Sequence, residues 1–148
     1  MKDRTLLTLA LLDAQNESGI EGRTRLQKLL FLIQQRLDQR EESFDKGYDF
    51  VAYDYGPFSK EIYQDIDYLI ERGFLAEHAR KLDDGIIKYE YNLTEKGEDY
   101  IEESFPELGE RHEVVQDVTN EFANEELQNI IDYVYSRYPE YAENSVLY

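Results

Sequence analysis

Three segments with apolar residues every three or four positions precede one Asp-Gly hairpin signal, and a fourth helical segment follows it. That order constrains the fold more than any other feature. Residues 4–16 carry Leu6, Leu9 and Ala10 at helical spacing, and a polar, Gly-punctuated break at Asn16–Gly22 follows. The second helix is expected from Thr24 to Gln39, where Leu26, Leu29, Leu30, Ile33 and Leu37 form one stripe and Phe31 and Leu32 widen it. A charged loop, Arg40–Gly47, leads to Tyr48–Tyr55, whose aromatic alternation suggests an extended segment. Gly56-Pro57 then reads as a helix start, because a proline in the first turn loses no intrahelical bond. The third helix is expected over Pro57–Arg72, burying Phe58, Ile62, Ile66, Leu69 and Ile70 and stopping at Gly73.

Phe74–Glu77 begins a strand, Asp83-Asp84-Gly85 supplies a tight turn, and Ile86–Leu93 is the return strand. Thr94 suits the N-cap of a helix over Glu95–Glu103, with Pro106 ending the unit. Helix, helix, helix, hairpin, helix is the plan of a winged helix-turn-helix. Two further helices are expected at Glu107–Glu121 and Asn124–Arg137. The fold class is therefore mainly α (α+β). A winged core with a β-hairpin wing occupies residues 1–105. A two-helix C-terminal extension occupies 106–148, packed on the core or used for dimerisation.

Charge sets the hardest condition on function. The 148 residues hold 33 acids and 16 Lys plus Arg, a net charge of −17. DNA affinity comes largely from cations that displace counterions, so a chain this acidic needs a local basic patch to bind a duplex. Solubility explains the acidity, and so does a salt-rich cytoplasm. Segment 101–148 alone has 12 acids and 2 bases. Cysteine is absent, which excludes disulfides and thiolate zinc sites and fits a cytoplasmic location. No 18-residue apolar run exists, so no membrane-spanning helix is expected. The leucine-rich N-terminus reads as an amphipathic first helix and not as a secretion signal, because Asp13, Gln15, Asn16 and Glu17 follow it.

Four strings carry a family resemblance. Gly22-Arg23-Thr24-Arg25-Leu26-Gln27-Lys28-Leu29-Leu30-Phe31-Leu32 resembles the Gly-Arg-x-x-Leu-Gln-Lys helix of the YwgA-like proteins. Tyr55-Gly56-Pro57-Phe58-Ser59, Leu69–Leu75 and Tyr91-Asn92-Leu93-Thr94-Glu95-Lys96-Gly97 resemble other parts of the same proteins. The Tyr-Gly-Pro segment followed by a helix is also similar to the Panacea domain of phage-associated antitoxins. The matches cover about residues 20–103. The resemblance implies a winged-helix-like domain acting as a regulator or as the partner-binding part of an antitoxin, and it carries over no catalytic residue.

Candidate DNA contacts fall in three places. Helix three is the candidate recognition helix, presenting Ser59, Lys60, Tyr63 and Gln64, although Glu61, Asp65, Asp67 and Glu71 oppose a duplex. The basic island is Arg23, Arg25, Lys28, Arg36 and Arg40 against Glu21 and Asp38. Of these, Arg23, Arg25 and Lys28 would touch phosphates near a helix start; the opposing reading pairs the island with the acidic C-terminal helices. The wing offers Arg80, Lys81 and Lys88. A dimer or protein-partner contact is expected at Tyr133, Tyr135, Tyr138 and Tyr141, since tyrosine is enriched at protein contacts.

Catalysis has little support. His78 and His112 lack metal-ligand spacing, and no phosphate-cradling loop, nucleophile elbow or metalloprotease helix occurs. No cofactor or metal is expected. The first reading is a dimeric winged-helix DNA-binding regulator. The alternatives are a protein-interaction module of antitoxin or adaptor type that does not bind DNA, or an acidic mimic of nucleic acid.

Overall fold

A computed structural model of the chain describes residues 1–15, 19–41, 47–122 and 124–147. Six α-helices appear among them: α1 (Asp3–Ala14), α2 (Arg23–Gln39), α3 (Lys60–Glu71), α4 (Glu95–Leu108), α5 (Glu110–Phe122) and α6 (Leu127–Arg137). A 3-10 turn, Pro139–Ala142, follows. The strands are β1 (Ile20–Glu21), β2 (Val51–Tyr53), β3 (Gly56–Phe58), β4 (Leu75–Lys81) and β5 (Ile87–Leu93). They form two small antiparallel sheets, one ordered β1-β5-β4 and the other β2-β3. The fold is mainly helical, α+β. None of these helices is long and apolar enough to cross a membrane.

The hairpin after α3 forms where the Asp-Gly signal places it, with Leu75 opposite Leu93 and Lys81 opposite Ile87. Its first strand, expected to begin at Phe74–Glu77, runs to Lys81, each residue from Leu75 onward finding a partner on β5. Its inner end is sealed by Leu75 and Tyr91, both buried. The short strand β1 lies within the break expected at Asn16–Gly22, pairing Ile20 with Tyr91; residues 16–18 of that break lie outside the described residues. The same holds for residues 42–46 of the expected Arg40–Gly47 loop.

Two expectations fail. Pro57 does not start α3: Gly56–Phe58 pairs with Val51–Tyr53 as a second hairpin, with Pro57 opposite Ala52. Gly56 adopts φ 102°, which turns the chain there. The helix begins only after Ser59, which is extended at φ −131°. Pro106 does not end α4, which continues to Leu108 and stops at Gly109, φ 58°. So close to the helix end the proline removes few bonds, and burial of Leu108 holds the last turn.

Helix α1 also differs from its amphipathic expectation. Residues Arg4 to Leu12 are buried without interruption. Such a helix is covered on all sides: α2, α4, α5 and β5 all pack on it. The C-terminal helices supply part of that cover, α5 against α1 and α2 and α6 against α2.

Candidate functional site

Arg23, Arg25 and Lys88 line an open cleft of about 360 Å³ at the start of α2, and most of the candidate basic residues also meet a partner within the molecule. Arg23 lies at the start of α2 with its guanidinium 3.7 Å from the Tyr89 ring centroid. Its Nε donates to the Tyr91 hydroxyl at 2.9 Å, and Glu77 pairs with it at 3.6 Å. Arg25 donates to the Glu125 carbonyl at 2.8 Å. Arg36 pairs with Glu121 and Arg40 with Asp117, both carboxylates on α5. On the β4–β5 hairpin, Arg80 and Lys88 share the Glu21 carboxylate at 2.9 and 3.0 Å. The Lys88 hydrogen bond, reinforced by the charges of Lys88 and Arg80, holds Glu21 below its ordinary carboxylate value. Exposed pairs of this kind add little stability. Each carboxylate offsets one positive charge that a polyanion would feel, and the Arg80–Lys88–Glu21 group keeps a net positive charge.

The sequence-predicted positions on α3 separate. Lys60 and Gln64 are exposed and Tyr63 is half-buried, whereas Ser59 is buried. The exposed remainder of the helix carries Asp67, Tyr68 and Glu71, so its outer face is more acidic than basic. Lys81 lies exposed at the end of β4. Residues 40–59 separate α2 from α3, far more than the three- or four-residue turn of a helix-turn-helix.

Lys28 is the clearest displacement from expectation. It is 2% exposed, and its ammonium donates to the Pro57 carbonyl at 2.9 Å. One residue earlier, Gln27 makes two bonds to the Ser59 backbone, donating to its carbonyl and accepting from its N–H, both at 2.9 Å. The Gln-Lys pair of α2 therefore clasps the Tyr-Gly-Pro-Phe-Ser segment. Gly56 is needed where that segment passes α6, because a Cβ there would lie 2.9 Å from the Tyr135 ring. Two strings distant in sequence and noted separately thus form one joint. A cavity of about 210 Å³ lies beside it, lined among others by Lys28, Tyr53, Tyr55 and Phe58.

The outer side of the same hairpin is apolar and exposed. Val51, Tyr53 and Tyr55 stand in solvent with Val146 and Leu147 of the C-terminal tail. The tail is tied down by Val146 N–H donating to the Asp54 carbonyl at 2.9 Å and by Asn144 donating to the Ala52 carbonyl at 3.1 Å. The four C-terminal tyrosines lie further in. Tyr138 and Tyr141 stack edge-on against Phe31 at 5.1 and 4.8 Å, and Tyr133 against Phe122 at 5.0 Å. Tyr135 donates to Ser145 at 2.8 Å. All four are half-buried.

Sequence reasoning missed a buried polar cluster between α1 and α3. Arg4 bonds Asp65 at 3.0 Å and Glu61 at 2.8 Å, and Asp65 also accepts from Thr5 and from Tyr48. Burial, with the Asp65 charge adding to it, pushes the Tyr48 phenol well above its ordinary value. Glu61 is held low, first by the Asp49 N–H it accepts and then by Arg4. The available signal was Asp65 standing on the Ile62, Ile66, Leu69 stripe, where a charge needs a buried partner.

Fold and surface together define a class: an acidic, mainly helical α+β domain that turns a tyrosine-bearing hairpin outward and buries Arg4 and Lys28. The chain belongs to the family described as "Antitoxin SocA-like, Panacea domain", whose model matches residues 26–142. It is also 34% identical over 93 residues to the uncharacterized protein YwgA of Bacillus subtilis (strain 168). That match covers 62% of this chain and 52% of YwgA, so the chain spans about half the length of the curated relative it matches.

Proposed function

We propose that this chain is a protein-interaction module of antitoxin type, acting by binding and not by catalysis, with a winged-helix scaffold that does not grip DNA. One observation carries the reading: apart from the exposed Lys60 and Lys81, the cations a duplex would need are engaged within the molecule. Arg36 and Arg40 sit on α5 carboxylates, Arg80 and Lys88 on Glu21, and Lys28 is buried. The acidic outer face of α3 and the long α2–α3 connection support it further. The winged-helix reading draws on the three helices before the β4–β5 hairpin and on β1 extending that hairpin's sheet. In this proposal residues 1–105 are the winged unit and 106–148 its extension, completing the core through α5.

The partner would dock on the β2–β3 hairpin, where Val51, Tyr53, Tyr55, Val146 and Leu147 leave apolar surface in water. Of the half-buried Tyr133, Tyr135, Tyr138 and Tyr141, Tyr135 backs that hairpin at Gly56, while the others pack on Phe122 and Phe31. With a net charge of −17, the chain favours a basic partner through long-range attraction.

Two measurements test the reading. Binding to genomic DNA fragments across a salt series is expected to give no sequence-specific complex. Specific binding that weakens with salt and changes sequence preference in Lys60→Ala or Gln64→Ala would overturn it. Affinity capture with the wild type and with Tyr53→Arg/Tyr55→Arg should yield a protein held by the first only. That protein, once purified, should then bind the wild-type chain by calorimetry.

A further inference from the structure

We propose that the cavity between α2 and the β2–β3 hairpin is the anchoring pocket for the protein partner, and that it takes a carboxylate, which completes an ion pair with Lys28. The proposal rests on the interaction-module reading above and names the chemistry of its partner.

Lys28 is an ion without a counter-ion. Its ammonium has three hydrogens, of which one is used, on the Pro57 carbonyl. Among the described residues no carboxylate lies within 4.0 Å of it. Buried charges in folded proteins are paired, and the other strongly buried cation here, Arg4, follows that rule with Asp65 and Glu61. Burial alone pushes the Lys28 ammonium down to about 8, so at neutral pH the side chain still carries most of its charge beside a cavity.

The cavity's walls narrow the ligand. An open pocket of about 210 Å³ is lined by Thr24, Gln27 and Lys28 of α2 and by Tyr53, Tyr55 and Phe58 of the hairpin, with Tyr63 of α3 beyond them. Aromatic faces suit the hydrocarbon of a side chain or chain end, while hydroxyl, amide and ammonium groups suit its oxygens. Asp54 also lines the cavity and disfavours a doubly charged anion such as phosphate. Arg23, which stacks at 5.1 Å from the Tyr63 ring, is already bonded to Tyr91 and paired with Glu77. A single negative charge fits. Long-range attraction between the acidic chain and a basic partner would bring the two together, and one acidic anchor would then fix the register.

The test follows Lys28 Cε by NMR in the ¹³C-labelled full chain at matched ionic strength. Two acids are titrated in: N-acetylglutamic acid α-amide, with a side-chain carboxylate only, and N-acetylalanine, with a chain-end carboxylate only. Their amide counterparts are the controls. At least one acid is expected to move the Cε resonance and raise the Lys28 titration midpoint by about one unit, because a bound anion favours the charged form. The amides should leave both unchanged, and the active acid tells side chain from chain end. Lys28→Met with an unaltered circular dichroism spectrum should lose the acid-dependent shifts at Tyr53 and Tyr55. Neither acid moving the midpoint, or amides acting as strongly as acids, overturns the pocket. If Lys28→Met captures the partner undiminished while Tyr53→Arg/Tyr55→Arg does not, the interaction reading stands and the carboxylate anchor falls.

Discussion

Lys28 has a stability cost as well as a function to explain. In the unfolded chain it titrates near 10.5 and in the fold near 8. Below pH 8 both states hold the proton, and the folded state carries the whole desolvation penalty. Between pH 8 and 10.5 the folded state releases its proton first, so wild-type stability rises with pH through that window. Lys28→Met keeps the stem, removes the charge and leaves the Pro57 carbonyl unpaired. It is expected to gain about 1–2 kcal/mol at pH 7, the net of a lost penalty near 3 kcal/mol and a lost hydrogen bond. The gain should shrink toward pH 10 in urea melts, and a pH-independent difference would count against burial as its cause. Arg4 behaves oppositely. Arg4→Ala strands Asp65 beneath α1, with an expected loss of about 3–5 kcal/mol in the same melts, whereas Arg4→Met with Asp65→Leu should recover most of it. Arg4 and Asp65 were not legible as a pair, because sequence pattern shows which face a residue occupies but not which distant residue meets it there.

Elements were legible where local chemistry decides them. Thr94 caps α4 as its residue type suggests, accepting from Gly97 N–H at 3.1 Å, and its hydroxyl also donates to the Gly73 carbonyl at 2.6 Å. The Thr-x-x-Gly spacing has a second cause that only packing exposes: a Cβ on Gly97 would lie 2.1 Å from the Phe74 carbonyl oxygen. Gly97→Ala must therefore separate α4 from the start of β4. A loss of about 2 kcal/mol or more is expected in thermal melts, against the small gain alanine gives in an open helix. The β2–β3 hairpin was misread for a related reason. Gly-Pro fits a helix start and a hairpin equally well by local rules, and the clasp from Gln27 and Lys28, some thirty positions away, is what selects the strand. The apolar three-four stripes of α2 and α3 needed no such help.

At the scale of the whole molecule, charge governs behaviour. A net of −17 on 148 residues repels itself, and added salt screens that repulsion. The melting temperature should rise between low and physiological sodium chloride, by calorimetry at pH 7; a fall would mean that the arginine pairs to α5 outweigh it. The basic island was visible in the sequence, and its pairing with the acidic C-terminal helices, one of two readings open there, is what Arg36 and Arg40 adopt. Whether Arg36 and Arg40 face water or Glu121 and Asp117 depends on where α5 comes to rest, which composition leaves open. The tail carries a practical consequence for anyone handling the protein. Because Asn144 and Val146 are hydrogen-bonded to the hairpin's backbone, a bulky reporter attached at Val146 or Leu147 would crowd the proposed docking face, so labels belong elsewhere on the chain.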